Sequence, residues 1–193
     1  MNEKTEANGF SHIELSNYLE FQNRIRKQAH EDKEMGFDWE LEKFINFMRI
    51  LPPHNYGTRI QNRLIKRLNF QKVKRSENLG DCRDNFNDPY EIKVSIIDGV
   101  NMHLNVVNVR EWQNVHYYIV AFDVRNNFKC HFFRLSRNEM KFELDKLTTS
   151  SSLGTIESNS ENKNVEKRFS IEINSDDFKR WVEKYSSKAS ELI

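Results

Sequence analysis

The chain has 193 residues, of which 37% are hydrophobic and 31% are charged, and its formal net charge is +1. This length suits one domain with a substantial hydrophobic core, and no run approaches the ~18 consecutive apolar residues of a membrane span. Two cysteines are too few for a disulfide framework and lack metal-ligand spacing. Because the first residues also lack the apolar core of a signal peptide, a cytoplasmic location is expected.

Residues 1–56 are predicted to form an N-terminal helical segment packed on the core. Residues 1–10 are polar and are expected to be disordered. Ser11 and Glu14 have the spacing of a capping box, which predicts a first helix. A second amphipathic helix follows and ends at two consecutive prolines. These helices either pack on the core, which we favour, or form a small interaction unit.

A third helix is predicted over residues 58–69, and its surroundings are basic. Three apolar residues lie along one side of this helix. The cations on the other side, and in the short strand expected next, either form a solvated helix face or contact phosphates. We favour phosphate contact because of the motif that follows. The candidate DNA-binding residues here are Arg59, Arg63, Lys66, Arg67, Lys72, Lys74 and Arg75.

The segment GDCRDNFNDPYEIKVS carries the candidate chemistry. Residues 90–97 alternate as a β-strand does, which places Glu91, Lys93 and Ser95 on one face and apolar side chains on the other. Asp81 lies ten positions before Glu91, in a Gly- and Asn-rich stretch that can turn back beside the strand. Two carboxylates and a lysine that converge on one strand suit a divalent cation and a phosphodiester. The pattern therefore indicates a metal-dependent nuclease centre.

The rest of the chain predicts a mixed sheet with further helices. Asp98-Gly99 signals a hairpin with a returning strand over residues 102–109, and the apolar run 117–124 suits a strand covered on both faces. A mobile loop is expected over residues 148–164. The remaining predictions are short strands near residues 131–135 and 169–173, and helices opened by Ser136 and Ser175. The order of elements predicts a single α/β domain.

The Glu-x-Lys pattern is by itself weak in a chain this charged. It recurs at Glu31, Glu139 and Glu161, but those copies fall in helical patterns or in a polar loop. Only Glu91 and Lys93 lie in a strong strand pattern. The competing interpretation is the surface of an edge strand whose Glu and Lys have no functional role.

The segment resembles the PD-(D/E)XK nuclease superfamily, whose best-known members are type II restriction endonucleases. Asp81 matches the family's first acid, Glu91 the second acid and Lys93 the lysine. The resemblance covers roughly residues 57–135. It implies a restriction-endonuclease-like mixed central sheet flanked by helices, with a nuclease core over residues 57–193.

The chain departs from the family pattern in two ways. Gly80 stands where the family name has proline. The first core helix of the family often supplies another acid, but residues 57–69 contain none. A third metal-site carboxylate would come from Glu77 or Asp84, or be absent. Asp84 is also a rival for the role of first acid, although it lies closer to the strand than the family usually shows.

The chemistry expected of this centre is hydrolysis assisted by Mg²⁺. Asp81, Glu91 and the carbonyl of Ile92 would bind the cation, which prefers oxygen ligands. Lys93 would hold or help to deprotonate the attacking water, or pair with the scissile phosphate. The resemblance implies in-line cleavage that leaves 5′-phosphate and 3′-hydroxyl ends. Further candidates for DNA contact are Ser95, Arg110 and Gln113.

The function expected from the residues and the resemblance together is a Mg²⁺-dependent restriction endonuclease acting on double-stranded DNA. A weaker resemblance is to the small catalytic subunits of heterodimeric type IIS restriction enzymes, which implies a large recognition subunit as partner. We favour that partner slightly over a homodimer. The alternatives are a repair, recombination or junction nuclease of the same superfamily, and a catalytically inactive nuclease-like binding module.

Overall fold

The structure is a computed structural model that describes residues 12–51, 53–74, 77, 79–125, 128–150 and 166–187. It divides into two compact units, residues 1–59 and residues 60–193. None of the helices it describes is long and apolar enough to cross a membrane. The helices are α1 (His12–Glu31), α2 (Leu41–Met48), α3 (Pro53–Arg67), α4 (Arg137–Ser150) and α5 (Asp176–Tyr185). The strands are β1 (Gln71–Lys72), β2 (Cys82–Arg83), β3 (Pro89–Ile97), β4 (His103–Val109), β5 (His116–Asp123), β6 (Lys129–Leu135) and β7 (Lys167–Glu172).

The first unit contains the two predicted N-terminal helices. Helix α2 is strongly amphipathic, and it buries Phe44, Ile45, Phe47 and Met48. Helix α3 begins at Pro53, five residues before the predicted start. The prediction was wrong here because proline, which ends a preceding helix, also suits the first turn of a new one. Residues 1–10, where disorder was expected, lie outside the described residues.

The second unit is built on a five-stranded sheet with the order β1-β2-β3-β5-β6. Strands β3 and β5 are parallel, and the other neighbours are antiparallel. Residues 117–122 of β5 are all buried, which confirms the prediction of a strand covered on both faces. The fold is therefore mixed α/β, as predicted.

Strand β4 does not pair with β3, and the predicted hairpin is wrong in this respect. The Asp98 carboxylate does cap a turn, where it accepts hydrogen bonds from the backbone N–H groups of Val100 and Asn101. The chain then leaves the plane of the sheet, and β4 pairs with β7 in a separate two-stranded sheet. Since β3 and β5 are parallel neighbours, the chain has to cross over between them, and β4 belongs to that crossover.

Helices α4 and α5 contribute to the main core together with β4–β7. The capping box predicted at Ser136 is present, because Ser136 and Glu139 exchange hydrogen bonds between side chain and backbone. Ser175 caps α5 by accepting from the backbone N–H of Phe178. The mobile loop predicted over residues 148–164 falls partly in α4, which continues to Ser150, and otherwise lies outside the described residues.

A buried carboxylate joins the last two helices. Glu143 of α4 is fully buried, and it accepts hydrogen bonds from Trp181 at 3.0 Å, from Tyr185 at 2.6 Å and from both Nη atoms of Arg180 at 2.5 and 2.6 Å. Burial raises the pKa of Glu143, but these hydrogen bonds outweigh burial and hold the pKa below its ordinary value. The network therefore stabilises the ionised carboxylate inside the core.

Candidate active site

Gly80 brings the first acid against strand β3. Its φ of +81° lies in the region that side chains disfavour. A Cβ at this position would also lie 2.5 Å from the carbonyl oxygen of Tyr90. This close approach lets the backbone N–H of Asp81 donate to the same oxygen at 2.8 Å. Proline, with φ fixed near −65°, does not fit here, and glycine adopts this conformation without a steric penalty.

The side chain of Asp81 lies along the edge of β3. Strand β2 pairs only with Pro89 and Tyr90, so it leaves the backbone of β3 open beyond them on this side. Asp81 Oδ2 accepts a hydrogen bond from the backbone N–H of Ile92 at 2.8 Å. Gln61 of α3 donates to the carbonyl of Ile92 at 2.7 Å, and its Nε2 lies 3.4 Å from Asp81 Oδ2. Asp81, Gln61 and Ile92 thus form one hydrogen-bonded group.

The second acid and the lysine form an ion pair on one face of β3, as the alternation predicts. Lys93 Nζ lies 2.9 Å from Glu91 Oε1, and both side chains are almost buried. Lys93 Nζ also donates to the carbonyl of Asn108 at 2.8 Å. Asn108 has a φ of 54° and lies where the β4–β7 register shifts, between Val106 and Val109. This bulge therefore turns a backbone carbonyl towards the lysine.

The surroundings of Asp81 disfavour its ionised form. Burial, and after it the charge of Glu91, together raise the pKa of Asp81 to about 6. The backbone N–H of Ile92, the ammonium of Lys93 and the guanidinium of Arg110 act in the opposite direction but do not cancel the rise. The carboxyl group of Asp81 therefore keeps its proton to a higher pH than an exposed aspartate does.

The donor set fits a hard divalent cation. The described residues contain no cluster of three or more His, Cys, Asp and Glu side chains that could hold a metal. Mg²⁺ does not require such a cluster, because it is usually held by one or two carboxylates together with water and substrate phosphate. Asp81 and Glu91 can supply the carboxylates. The carbonyl of Ile92 can add a ligand, since it keeps a second lone pair beside the hydrogen bond from Gln61.

The other acids considered as metal ligands are engaged elsewhere. The Asp84 carboxylate accepts from the backbone N–H groups of Phe86 and Asp88, both at 2.9 Å, and therefore closes a turn. Glu77 is exposed, and its carboxylate accepts from the backbone N–H of Lys74 at 3.4 Å. Asp84 thus lies in the turn between β2 and β3, whereas Asp81 lies beside Ile92 of β3.

Four of the predicted DNA-binding side chains are buried, and the prediction is corrected for them. Arg59 donates to backbone carbonyls at the end of α1 and just beyond it, including that of Asp32 at 2.9 Å. The Ser95 hydroxyl accepts from the backbone N–H of Asn105 at 3.0 Å. Charge alone did not reveal which positions of a helix or strand face inward. The buried residues are Arg59, Arg63, Ser95 and Gln113.

The remaining predicted cations are partly or fully exposed. Arg110 is partly exposed and pairs with Glu166 at 2.8 Å. Lys72 donates to the side chain of Asn62 at 2.7 Å. Arg75 lies outside the described residues. The exposed cations of α3 and of the segment after it are Lys66, Arg67, Lys72 and Lys74.

Two participants in the site were not predicted from the sequence. Gln61 lies on the helix where a further acid was sought, so a search for carboxylates passes over it although its amide reaches both Asp81 and Ile92. Asn108 takes part through its carbonyl group, and a backbone atom carries no sequence signal. The one sequence feature that pointed to Gln61 was its place as a polar residue between apolar positions of α3.

No protein-family model matches the chain, and no curated protein shows significant similarity to it.

Proposed function

We propose that the chain is a Mg²⁺-dependent DNA endonuclease of restriction type that acts as the strand-cleaving subunit. The observation that carries this proposal is that Asp81 lies within electrostatic reach of the Glu91–Lys93 ion pair on β3. Burial and the charge of Glu91 raise the pKa of Asp81, and Lys93 pairs with Glu91 at 2.9 Å. Perturbed ionisable groups in such an arrangement are common at catalytic sites, although ion pairs of purely structural role also produce them.

The residues of the chain have separate roles in this proposal. Bound Mg²⁺ would lower the pKa of a water molecule and stabilise the charge that develops on the scissile phosphate. Asp81 and Glu91 hold the cation, and Gln61 fixes the orientation of the group formed by Asp81 and Ile92. Lys93 is held beside the carboxylates by Glu91 and by the carbonyl of Asn108, and it orients the attacking water or the phosphate.

Double-stranded DNA is the proposed substrate, and exposed cations support this choice. Lys66, Arg67, Lys72 and Lys74 are exposed and lie in the same unit as the carboxylates. Phosphate contacts of this kind position a duplex without reading its sequence. Arg110 lies close enough to the carboxylates for their charges to raise its pKa, after the larger effect of Glu166, and it would add a further contact near the site.

A second active site is needed to cut both strands, because one centre cleaves one strand. We favour a larger recognition subunit as the source of that site and of sequence specificity. A homodimer is the alternative arrangement. The chain alone is then expected to nick a plasmid, whereas efficient conversion to linear product would favour the homodimer.

Cleavage of supercoiled plasmid in the presence of Mg²⁺ tests the proposed activity. Glu91→Ala and Lys93→Ala are expected to reduce the rate at least a hundredfold, because each removes a charged group from the reacting centre. Lys179→Ala is the matched control, since Lys179 is also ion-paired but lies exposed on α5. Circular dichroism establishes that the variants are folded. Full activity in folded Lys93→Ala protein would contradict the assignment.

A catalytically inactive module is the second candidate, and one observation favours it. The hydrogen bonds of Asp81 and Gln61 satisfy the backbone of Ile92 at the open edge of β3, which is a structural role in itself. In that case the chain would not bind Mg²⁺ or Mn²⁺ at these residues. Metal binding therefore distinguishes the two candidates.

A further inference from the structure

The turn between β2 and β3 exposes a large aromatic side chain. Phe86 is 84% exposed, which makes it the most exposed aromatic residue in the described part of the chain. Its neighbours Asn85 and Asn87 are polar, as is usual for turn residues. Turn formation gives no reason for a phenyl ring at this position, and the ring adds nothing to the core.

The backbone that carries Phe86 is held tightly. The Asp84 carboxylate accepts from the N–H groups of Phe86 and Asp88, and the backbone of Asp84 exchanges hydrogen bonds with Asn87 and Asp88, both at 3.0 Å. Arg83 adds a bond from its guanidinium to the carbonyl of Asn87 at 3.1 Å. A ring presented on such a braced turn loses little conformational freedom when it binds a partner.

The position of the turn relates Phe86 to the candidate active site. Phe86 lies five residues after Asp81 and five residues before Glu91, and the two strands of the hairpin pair as far as Arg83 and Pro89. At about 3.3 Å per strand residue, the backbone of the tip lies within roughly 17 Å of the backbone of Asp81 and of Glu91. With a base-pair rise of about 3.4 Å, this distance corresponds to about five base pairs of a bound duplex.

The charges around the turn favour contact with a base over contact with a phosphate. Arg83 and the half-exposed Arg134 contribute two guanidinium groups, and Arg134 lies 3.7 Å from the Asp84 carboxylate. The carboxylates of Asp84 and the exposed Asp88 balance these cations. An anion therefore gains little at the tip, whereas the face of the phenyl ring suits the face of an unstacked base.

From these observations we infer that Phe86 is a nucleic-acid contact that stacks on, or wedges beside, a base within about five base pairs of the cleaved bond. This inference rests on the proposed nuclease function. It assigns the hairpin tip a role in local distortion or positioning of the DNA. Phe86 is a positioning residue in this account and does not contact the reacting atoms.

The test uses short duplexes that each carry 2-aminopurine at one of several successive positions, with Ca²⁺ in place of Mg²⁺ to prevent cutting. Wild-type protein is expected to change the fluorescence of the probe. Phe86→Ala should abolish that change and weaken binding roughly 5- to 150-fold, the range for loss of one base–aromatic stack. Phe86→Trp should preserve the change. The matched control is Phe142→Ala, which removes an aromatic side chain that is 57% exposed on α4.

Different outcomes separate this inference from the proposed function. Unchanged fluorescence and affinity in Phe86→Ala, with wild-type protein that cuts DNA, would overturn the inference alone. Absence of any metal-dependent cleavage by wild-type protein, with or without a recognition subunit, would overturn both. A Phe86→Ala variant that loses subunit association but keeps the fluorescence change would assign the residue to a protein interface and would overturn the inference.

Discussion

At the scale of single residues, Asp81 combines two demands that conflict. Its carboxylate is buried beside Glu91, which raises its pKa to about 6, so the ionised form is destabilising in the folded protein without a cation. The same carboxylate caps the backbone N–H of Ile92. Such an unfavourable buried charge is expected where a cation binds, because functional positions often lower the free energy of unfolding.

Asp81→Asn is therefore expected to stabilise the metal-free protein. At pH 7.5 in a chelator, the free energy of unfolding should rise by about 1 to 3 kcal/mol, because the pKa of Asp81 is raised from 3.8 to about 6 in the folded protein. The folded state retains the proton to higher pH than the unfolded chain, so the ionised carboxylate begins to cost stability near pH 4 and its full cost is present above about pH 6. The gain should shrink as the pH falls towards 4.

Urea denaturation of wild type and variant measures this difference. Asp84→Asn is the comparison, since Asp84 closes a turn and its loss should destabilise the protein. An Asp81→Asn variant less stable than wild type would show that the backbone cap outweighs the buried charge, which would favour the structural interpretation of Asp81.

At the scale of elements, the link between α4 and α5 depends on one ionised carboxylate. Glu143→Ala should lower the free energy of unfolding by about 3 to 5 kcal/mol, because it leaves the buried Trp181 and Tyr185 without their acceptor and leaves Arg180 with Asp177 alone as its ion-pair partner. Thermal denaturation measures the loss. Glu183→Ala on the exposed side of α5 is the control, and an equal effect of the two substitutions would contradict this account.

The hydrogen bonds of Glu143 also predict how stability changes at low pH. Because the pKa of Glu143 is lower in the folded state than in the unfolded chain, its contribution is complete above the unfolded value of about 4.3 and is lost as the pH falls through the folded value. The difference in stability between wild type and Glu143→Gln should therefore narrow below pH 4. A stability difference between wild type and Glu143→Gln that stays constant from pH 7 to pH 3 would contradict this role of the ionised carboxylate.

At the scale of the whole molecule, the sequence predicted the elements better than their partners. The apolar run of β5, the capping box of α4 and the N-cap of α5 are local signals, and the structure confirms them. The pairing of β4 with β7 joins residues about 65 positions apart, and the turn at Asp98 carries no information about it. Local patterns determine where a strand lies in the chain but do not determine which strand it pairs with in the sheet.

The candidate site shows the same difference between local signals and tertiary packing. Alternation along β3 predicted that Glu91 and Lys93 share a face, and the ion pair between them agrees with it. The contribution of Gln61 depends on how α3 packs against β3, and that packing is a tertiary property. The burial of Arg63 and Ser95 likewise follows from packing, which composition does not reveal. Charge and polarity along the sequence therefore overestimated how many of these side chains are exposed.

The central claim is that Asp81 and Glu91 bind a divalent cation, and titration with Mn²⁺ monitored by electron paramagnetic resonance tests it most directly. The measurement needs neither DNA nor a partner subunit. Wild-type protein at pH 7.5 is expected to bind Mn²⁺ at this site, Mg²⁺ should compete for it, and Asp81→Asn and Glu91→Gln should abolish binding, whereas Asp84→Asn should not. Equal Mn²⁺ binding by wild type and Asp81→Asn, or no binding by wild type, would contradict the claim.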